Sequence, residues 1–293
     1  MIMADSMYLK PLKPTQLTDI YIAFMDAFSD YPLPFRLTKE QFVRKFVQKL
    51  SLDFSLSAGA YEYDGSLAAF IFTAINRYED KLTAYIGGTG VRVKNRGERL
   101  TTQMYEYLTP LFKRHKVSQC VLEVLITNHR AIKAYEAIGF ERTKYFKCYA
   151  LERDKPTFNK VELPTNVEIK TVQNPNWKLY QQFSDYKPSF LDSIEMISGN
   201  HINEVIIEMK QEDVCIGYAI YQPSFGRISQ IGVDAEKRRQ GVGKALVDHM
   251  FKTCSLKRLT IVNVNDAATT TKKFFESIGF DNQIDQYEMI MAL

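Results

Sequence analysis

The sequence predicts an α/β fold built twice in tandem, and three observations carry that prediction. Segments of strand-like and helix-like periodicity alternate along the chain. The order in which they come in the first half returns in the second, which marks an internal repeat. Between the copies lies "RDKPTFNKVELPTN", with two prolines and alternating charge, which reads as a linker over 153–165. The expected domains are therefore 1–152 and 166–293.

In the first copy, "QLTDIYIAFMDAF" puts Leu17, Ile20, Tyr21, Phe24, Ala27 and Phe28 on one helical stripe. "TKEQFVRKFVQKL" opens a second helix with Thr38 and Gln41 in capping-box spacing, followed by Phe42, Val43, Phe46, Val47 and Leu50. "LSAGAYEYDGSLAAFIFTAI" reads as two strands joined at Asp64-Gly65, because only glycine and a few polar residues tolerate the positive φ of a tight hairpin. A third strand, "LTAYIGGTGV", runs into a turn and a helix that buries Leu100, Met104, Leu108, Leu111 and Phe112. "CVLEVLI" is a short apolar strand, "NHRAIKAYEAIGF" a helix stopped by Gly139, and "KYFKCYALE" the last strand.

The second copy repeats this order. "VEIKTV" opens it, "EVIIEMKQEDVCIGYAIYQ" is a hairpin and "GRISQIGV" the next strand. "EKRRQGVGKALVDHMF" answers "VKNRGERLTTQMYEYL", "RLTIVNV" answers "CVLEVLI", and "TTTKKFFESIGF" answers "HRAIKAYEAIGF". The spacings Arg96 to Gly139 and Arg238 to Gly279 differ by two residues, one small loop indel. The front of this copy, from Thr171 to Asn203, has no periodicity that fixes boundaries.

Composition excludes several classes. The chain has 293 residues, 45% of them hydrophobic and 25% charged, with no apolar run near the ~20 residues of a membrane helix. Asp5 interrupts an N-terminus that has no signal-peptide core, so a cytoplasmic protein is expected. The four cysteines are scattered without a C-x-x-C pair and read as buried thiols; the four histidines show no metal-ligand spacing. A net charge of +4 without a basic run argues against a nucleic-acid partner. A monomer or homodimer is expected.

Chemistry enters at "VDAEKRRQGVGKAL", where a strand ends, cations and two glycines make a turn, and a helix begins. A helix N-terminus presents unpaired N–H groups and a partial positive charge, so glycines there let the backbone close on a phosphate or pyrophosphate. The turn Arg238-Arg239-Gln240-Gly241-Val242-Gly243, with its flanking elements and their repetition, resembles the Gln/Arg-x-x-Gly-x-Gly/Ala turn of the GNAT N-acetyltransferase superfamily. The resemblance covers nearly the whole chain and implies a tandem GNAT protein. Each half would be a mixed (α+β), mostly antiparallel sheet, flanked by helices and splayed between its fourth and fifth strands to admit acetyl-CoA. It further implies cofactor contacts at Ile231, Val233, Arg238, Arg239, Gly241, Val242, Gly243 and Lys244 in the second copy. In the first they fall at Gly90, Val91, Arg96, Gly97, Arg99, Leu100, Thr101 and Asn128. The first turn departs from the pattern, with Arg99 and Thr101 where small residues are expected. Strand bulges that hold the acetyl carbonyl are expected near Gly90-Val91 and Gly232-Val233.

The catalytic signal shows the opposite asymmetry. "LEVLITNHRAIKAY" resembles the signature of ribosomal-protein N-terminal acetyltransferases, which implies Glu123 as general base, Tyr135 as general acid and Asn128 against the cofactor. A carboxylate can take the proton of an attacking ammonium, and a phenol with pKa near 10 stays protonated to serve a departing thiolate. Both residues also have a purely structural reading, Tyr135 because it shares a stripe with Ile132 and Ile138. The second copy puts Asn263, Ala268 and Phe275 at the three positions; Tyr287 in its last strand is a spare phenol, and His249 reads as core. The expectation is direct acetyl transfer from acetyl-CoA to a primary amine, peptide or small molecule. It places chemistry in the first half and leaves the second a degenerate copy that still holds cofactor. The alternative is an acyl-CoA-binding regulatory or scaffold protein. The acids Asp26 and Asp30, with Tyr31, are candidates to meet the amine.

Overall fold

The computed structural model describes residues 3–4, 7–31, 35–152, 163–199, 204–254 and 256–293; most of the expected linker lies outside them. The chain forms two compact units, Met1–Thr143 with Tyr287–Leu293, and Lys144–Gln286. These are not the two sequence copies: each copy's last strand is divided between the units. Hydrophobic patterning marks strands, but it does not say which sheet a terminal strand completes.

In the first unit, β1 (Met3–Ala4) pairs with β2 (Met7–Pro11), and α1 (Leu17–Ala27) follows. α2 (Lys39–Phe42) begins with the expected reciprocal Thr38–Gln41 capping box and then widens into a π-helical segment, Val43–Lys49. Next come β3 (Ala58–Glu62), β4 (Leu67–Tyr78), β5 (Lys81–Val91), α3 (Leu100–Arg114), β6 (Gln119–Leu125) and α4 (His129–Ile138). The Asp64-Gly65 hairpin forms, with Gly65 at φ 86°. β7 (Glu141–Glu152) starts in this unit.

The second unit takes β7 from Lys144 on and contains β8 (Val167–Thr171), α5 (Trp177–Phe183), α6 (Ile194–Gly199), β9 (Val205–Gln211) and β10 (Val214–Gln222). It continues with β11 (Arg227–Val233), α7 (Val242–Thr253), β12 (Arg258–Asn265) and α8 (Thr269–Ser277). β13 (Asp281–Ala292) starts here and ends in the first unit. Sheet order is β1-β2-β3-β4-β5-β6-β13 in the first unit and β7-β12-β11-β10-β9-β8 in the second.

Among the described pairings both sheets are antiparallel except at one place, and there both open. β5 pairs in parallel with β6 only at Thr83–Gln119, Ala84–Cys120 and Tyr85–Val121; β11 pairs with β12 only at Arg227–Thr260 and Ile228–Ile261. Beyond those pairs the strands part, which is the expected splay. The bulges lie three residues earlier than expected, leaving Gly87 extra between Ile86 and Gly88, and Ser229 extra between Ile228 and Gln230. Gly90 and Val91 pair regularly with Phe70 and Ala69, as Gly232 and Val233 do with Tyr218 and Gly217. The later glycines make room for a cross-strand ring instead: a β-carbon on Gly90 would lie 2.3 Å from Phe70, and one on Gly232 2.6 Å from Tyr218.

In the first core, Leu100, Met104, Leu108 and Phe112 of α3 pack with Met289 and Met291 of β13. Across the sheet Phe24 meets Phe28, Phe35, Phe42, Phe46, Phe70 and Phe72. The second core gathers Leu246, Val247 and Met250 of α7 with Tyr149 and Leu151 of β7. All four cysteines are buried thiols. Among the described residues no helix is long and apolar enough to cross a membrane.

Candidate functional site

The two turns share one backbone conformation and fill it with complementary residues. Each has two left-handed positions: Gly97 (φ 96°) and Arg99 (φ 55°) before α3, Arg239 (φ 64°) and Gly241 (φ 81°) before α7. Arg99 thus holds the helix-cap conformation that Gly241 holds in the other copy, so losing the glycine does not lose the turn. Gly243 serves packing: a β-carbon there would lie 2.9 Å from the Phe274 ring on α8, whereas Thr101 in the first copy aligns with a unit that carries Ala134 in place of Phe274. Leu100 and Val242, the first helical residues, point into the cores.

The arginine that opens each turn is a clamp. Arg96 donates to the Ala27 carbonyl at 3.0 Å and Arg238 to the Phe183 carbonyl at 3.0 Å, in both cases the last residue of the unit's first α-helix. Arg96 also forms a two-pronged pair with Asp30 at 2.6 and 2.8 Å, and Arg238 donates to the Val233 carbonyl at 3.1 Å. Both guanidiniums tie helix to turn before any ligand arrives.

In the second unit the turn walls a cavity of ≈ 550 Å³, within the size range of small-molecule sites. Lys237, Arg238, Arg239, Lys244 and Lys273 line it against one acid, Asp185. Gly241, Val242 and Gly243 bring the α7 N-terminus to its wall, Ile231 and Val233 come from β11, and Phe274 from α8. Cations, helix-start N–H groups and an apolar flank in one space suit an elongated anion with a less polar arm. Every second-copy cofactor residue expected from the sequence lines this cavity.

The first unit distributes its candidates over two clusters. Glu123 accepts a short hydrogen bond from the Tyr85 phenol. Tyr135 packs edge-on against Tyr105 and Phe140. Burial pushes its phenol up, partly offset by the Thr89 hydroxyl. Tyr31 lies beside it: burial and the Tyr135 phenol push Tyr31 up to about 12, against a lowering from Asn128. Asn128 also caps α4, accepting from the Ala131 N–H at 3.2 Å. Thr89 Oγ1 and the Tyr105 hydroxyl are buried with no hydrogen-bond partner among the described residues.

The acids expected to meet an amine are already engaged. Asp26 accepts from Arg92 Nε and Nη2 at 3.1 and 3.0 Å and from the Val93 N–H at 2.9 Å. Burial would raise it, but the Val93 N–H and Arg92 outweigh that and hold it low. The Arg96 hydrogen bond holds Asp30 at about 2.

In the second unit Asn263 sits in a β12 bulge at φ 59°, donating to Ser189 Oγ at 3.3 Å while its buried Oδ1 has no hydrogen-bond partner among the described residues. Ala268 cannot cap α8 as Asn128 caps α4, and Asp185 does so from a distance, accepting the Thr271 N–H at 3.2 Å and the Thr271 hydroxyl. Phe275 is core. Tyr287 belongs to the first unit, with the Arg142 guanidinium 4.8 Å over its ring, so it is no phenol for the second unit's cleft.

The sequence carries a further repeat. Phe28-Ser29-Asp30-Tyr31 ends at Phe35 with the spacing by which Phe183-Ser184-Asp185-Tyr186 ends at Phe190. The loop after the first helix is itself duplicated: its aspartate lines the cavity of the second unit, and its tyrosine lies beside Tyr135 in the first.

Fold and site together define an acyltransferase-type architecture: a splayed sheet with an arginine- and glycine-bearing turn at a helix start, made twice. Comparison with protein families agrees, since residues 17–140 match the acetyltransferase (GNAT) family and residues 181–289 the acetyltransferase (GNAT) domain. The chain belongs to the GNAT acetyltransferases as a tandem, two-domain member. Among solved structures, a GCN5-related N-acetyltransferase from Sphaerobacter thermophilus superposes with TM-score 0.73 at 15% identity, over 99% of this chain and 97% of that one. A putative acetyltransferase from Pyrococcus horikoshii gives 0.70 at 17%, over 100% and 92%. A tandem GNAT protein from the clavulanic acid biosynthesis pathway gives 0.69 at 12%, over 98% of both chains. At these identities the likeness is one of fold. A comparison with curated proteins returns no match.

Proposed function

We propose that the protein transfers the acetyl group of acetyl-CoA directly to a primary amine, and that its second unit holds the acetyl-CoA. The observation that carries this reading is the ≈ 550 Å³ cavity, where Arg239, Lys244 and Lys273 surround the start of α7. Gly241 and Gly243 would let backbone N–H groups reach the pyrophosphate, and Ile231, Val233 and Phe274 would flank the pantetheine arm. Transfer requires acyl group and amine in one cleft, so chemistry goes with this cavity. A second reading keeps chemistry in the first unit, favoured by the buried hydroxyls of Thr89 and Tyr105 beside Tyr135. There Gly97, Arg99 and Thr101 would form the phosphate turn.

Calorimetry with acetyl-CoA, together with coenzyme A release on a panel of peptide, polyamine and aminoglycoside acceptors, tests the proposal. Gly241→Asp places a side chain and a negative charge in the turn and should abolish binding and turnover; Arg96→Ala should leave both within about twofold. The reverse pattern moves the chemistry to the first unit. No binding at millimolar acetyl-CoA refutes both readings.

A further inference from the structure

The second unit has lost the phenol that Tyr135 supplies in the first, and Tyr287 does not replace it. The duplicated loop offers another. In the first unit Tyr31 brings its phenol beside the Tyr135 phenol and the Asn128 amide, so the loop tyrosine and the α4 tyrosine converge on one place. The repeat carries Tyr31 to Tyr186, Tyr135 to Phe275 and Asn128 to Ala268. Where the first unit has two phenols, the second keeps the one from the loop.

We propose that Tyr186 is a catalytic residue of the second unit, donating its phenolic proton to the sulfur that leaves acetyl-CoA. This rests on the cofactor site proposed above. Three observations place it. Phe183 and Asp185, its neighbours in the loop, line the cavity. Its ring packs on the second core together with Ile231, Val233 and Phe274, all of which line the same cavity. Its backbone is pinned by Ser184 Oγ, which donates to the Tyr186 carbonyl at 2.7 Å and accepts from the N–H at 3.4 Å, whereas its hydroxyl has no hydrogen-bond partner among the described residues. A fixed ring with an uncommitted hydroxyl, packed on the core that also borders the ligand cavity, is what proton donation needs. Asp185 and Phe183 have structural tasks, capping α8 and receiving Arg238, and the tyrosine hydroxyl has none.

The step balances. The neutral amine attacks the thioester carbonyl carbon, the C–N bond forms, and the C–S bond breaks with its electron pair going to sulfur. Sulfur takes the Tyr186 proton, and the phenolate is reprotonated through water by the proton the amine sheds. Burial, with the charges of Asp192 and Asp185 and the Tyr218 phenol against that of Arg227, pushes the Tyr186 phenol up, so it rests protonated.

Tyr186→Phe in the full chain tests this, since it keeps the ring and removes one oxygen. We expect kcat for coenzyme A release to fall roughly 10²- to 10⁴-fold, with the acetyl-CoA Kd by calorimetry within about twofold and the thermal midpoint unchanged. Tyr63→Phe, the same change at an exposed phenol of the first unit that belongs to neither site, should leave kcat within about twofold. Turnover of Tyr186→Phe within about threefold of the parent, with binding intact, overturns the assignment while leaving the cofactor site standing. So does a loss that appears in Kd alone, or an equal loss in Tyr63→Phe. Absence of acetyl-CoA binding or turnover in the parent chain overturns this assignment together with the reading beneath it.

Discussion

Arg99→Gly should stabilise the first unit, and the amount can be worked from the turn. Arg99 caps α3 at φ 55°, ψ 26°, a left-handed conformation that costs an L-residue about 1–2 kcal/mol. Its positive charge also lies at the positive end of the helix dipole, an unfavourable placement of about 0.3–1 kcal/mol. Against these, glycine loses more backbone freedom on folding, about 0.4–1 kcal/mol. The balance is a gain of about 1 kcal/mol, or a rise of about 2–4 °C in Tm for a domain of this size. Differential scanning calorimetry on the full chain should show the transition of the first unit move up and that of the second stay. The reverse substitution, Gly241→Arg, should lower the second transition by a similar amount, because Gly241 occupies the same backbone state at φ 81°. A Tm that falls in Arg99→Gly would mean that the guanidinium makes a contact worth more than the strain, and the account of two turns sharing one conformation at different cost would be refuted.

Three further outcomes follow from the geometry. Asp30 is held at about 2 by Arg96, below its ordinary 3.8, so its contribution to stability is full above pH 3.8 and is lost as pH falls toward 2. Asp30→Asn should lower Tm at neutral pH and converge with the parent near pH 2 in thermal melts. Ala268 has φ −76°, ψ 67°, close to the −85°, 63° of the capping residue Asn128. Asp185→Ala should therefore cost about 0.5–2 kcal/mol in urea denaturation, and less in an Ala268→Asn background, where a local cap replaces the remote one. Additive losses would show that Asp185 does not act as the cap. Gly90→Ala puts a β-carbon 2.3 Å from the buried Phe70 ring and should cost about 1–3 kcal/mol; Phe70→Leu in the same chain should recover most of it, and a failure to do so would place the strain elsewhere.

What the sequence revealed was local and periodic. The Thr38–Gln41 box, the Asp64-Gly65 turn, the glycine stop at Gly139 and the glycine turn before α7 each rest on residues a few positions apart, and each is present. The bulges were misplaced because glycine has several uses in a strand: Gly90 and Gly232 face rings on the neighbouring strand, and the bulge in β11 falls on a serine. Asp26, Asp30 and Arg96 suit a ligand by type and position; only the fold shows that 66 positions of chain separate partners that pair. The assignment of Tyr287 failed for a topological reason, since a strand's residues do not declare which sheet they will join.

That topology bears on how the protein is made. Tyr287–Leu293 completes the first unit, with Met289 and Met291 in its core and the Leu293 N–H bonded to the Ser118 carbonyl at 3.1 Å. During synthesis the first unit emerges early from the ribosome yet lacks a strand until residues 287–293 are read, whereas most domains close as they appear. Its nascent sheet must wait with an open edge through the translation of the entire second unit, an interval of several seconds or more at ~5–20 residues per second. A chain truncated after Gln286 would lose part of the domain made first, and a gene split between the copies would leave each product holding a strand that belongs to the other.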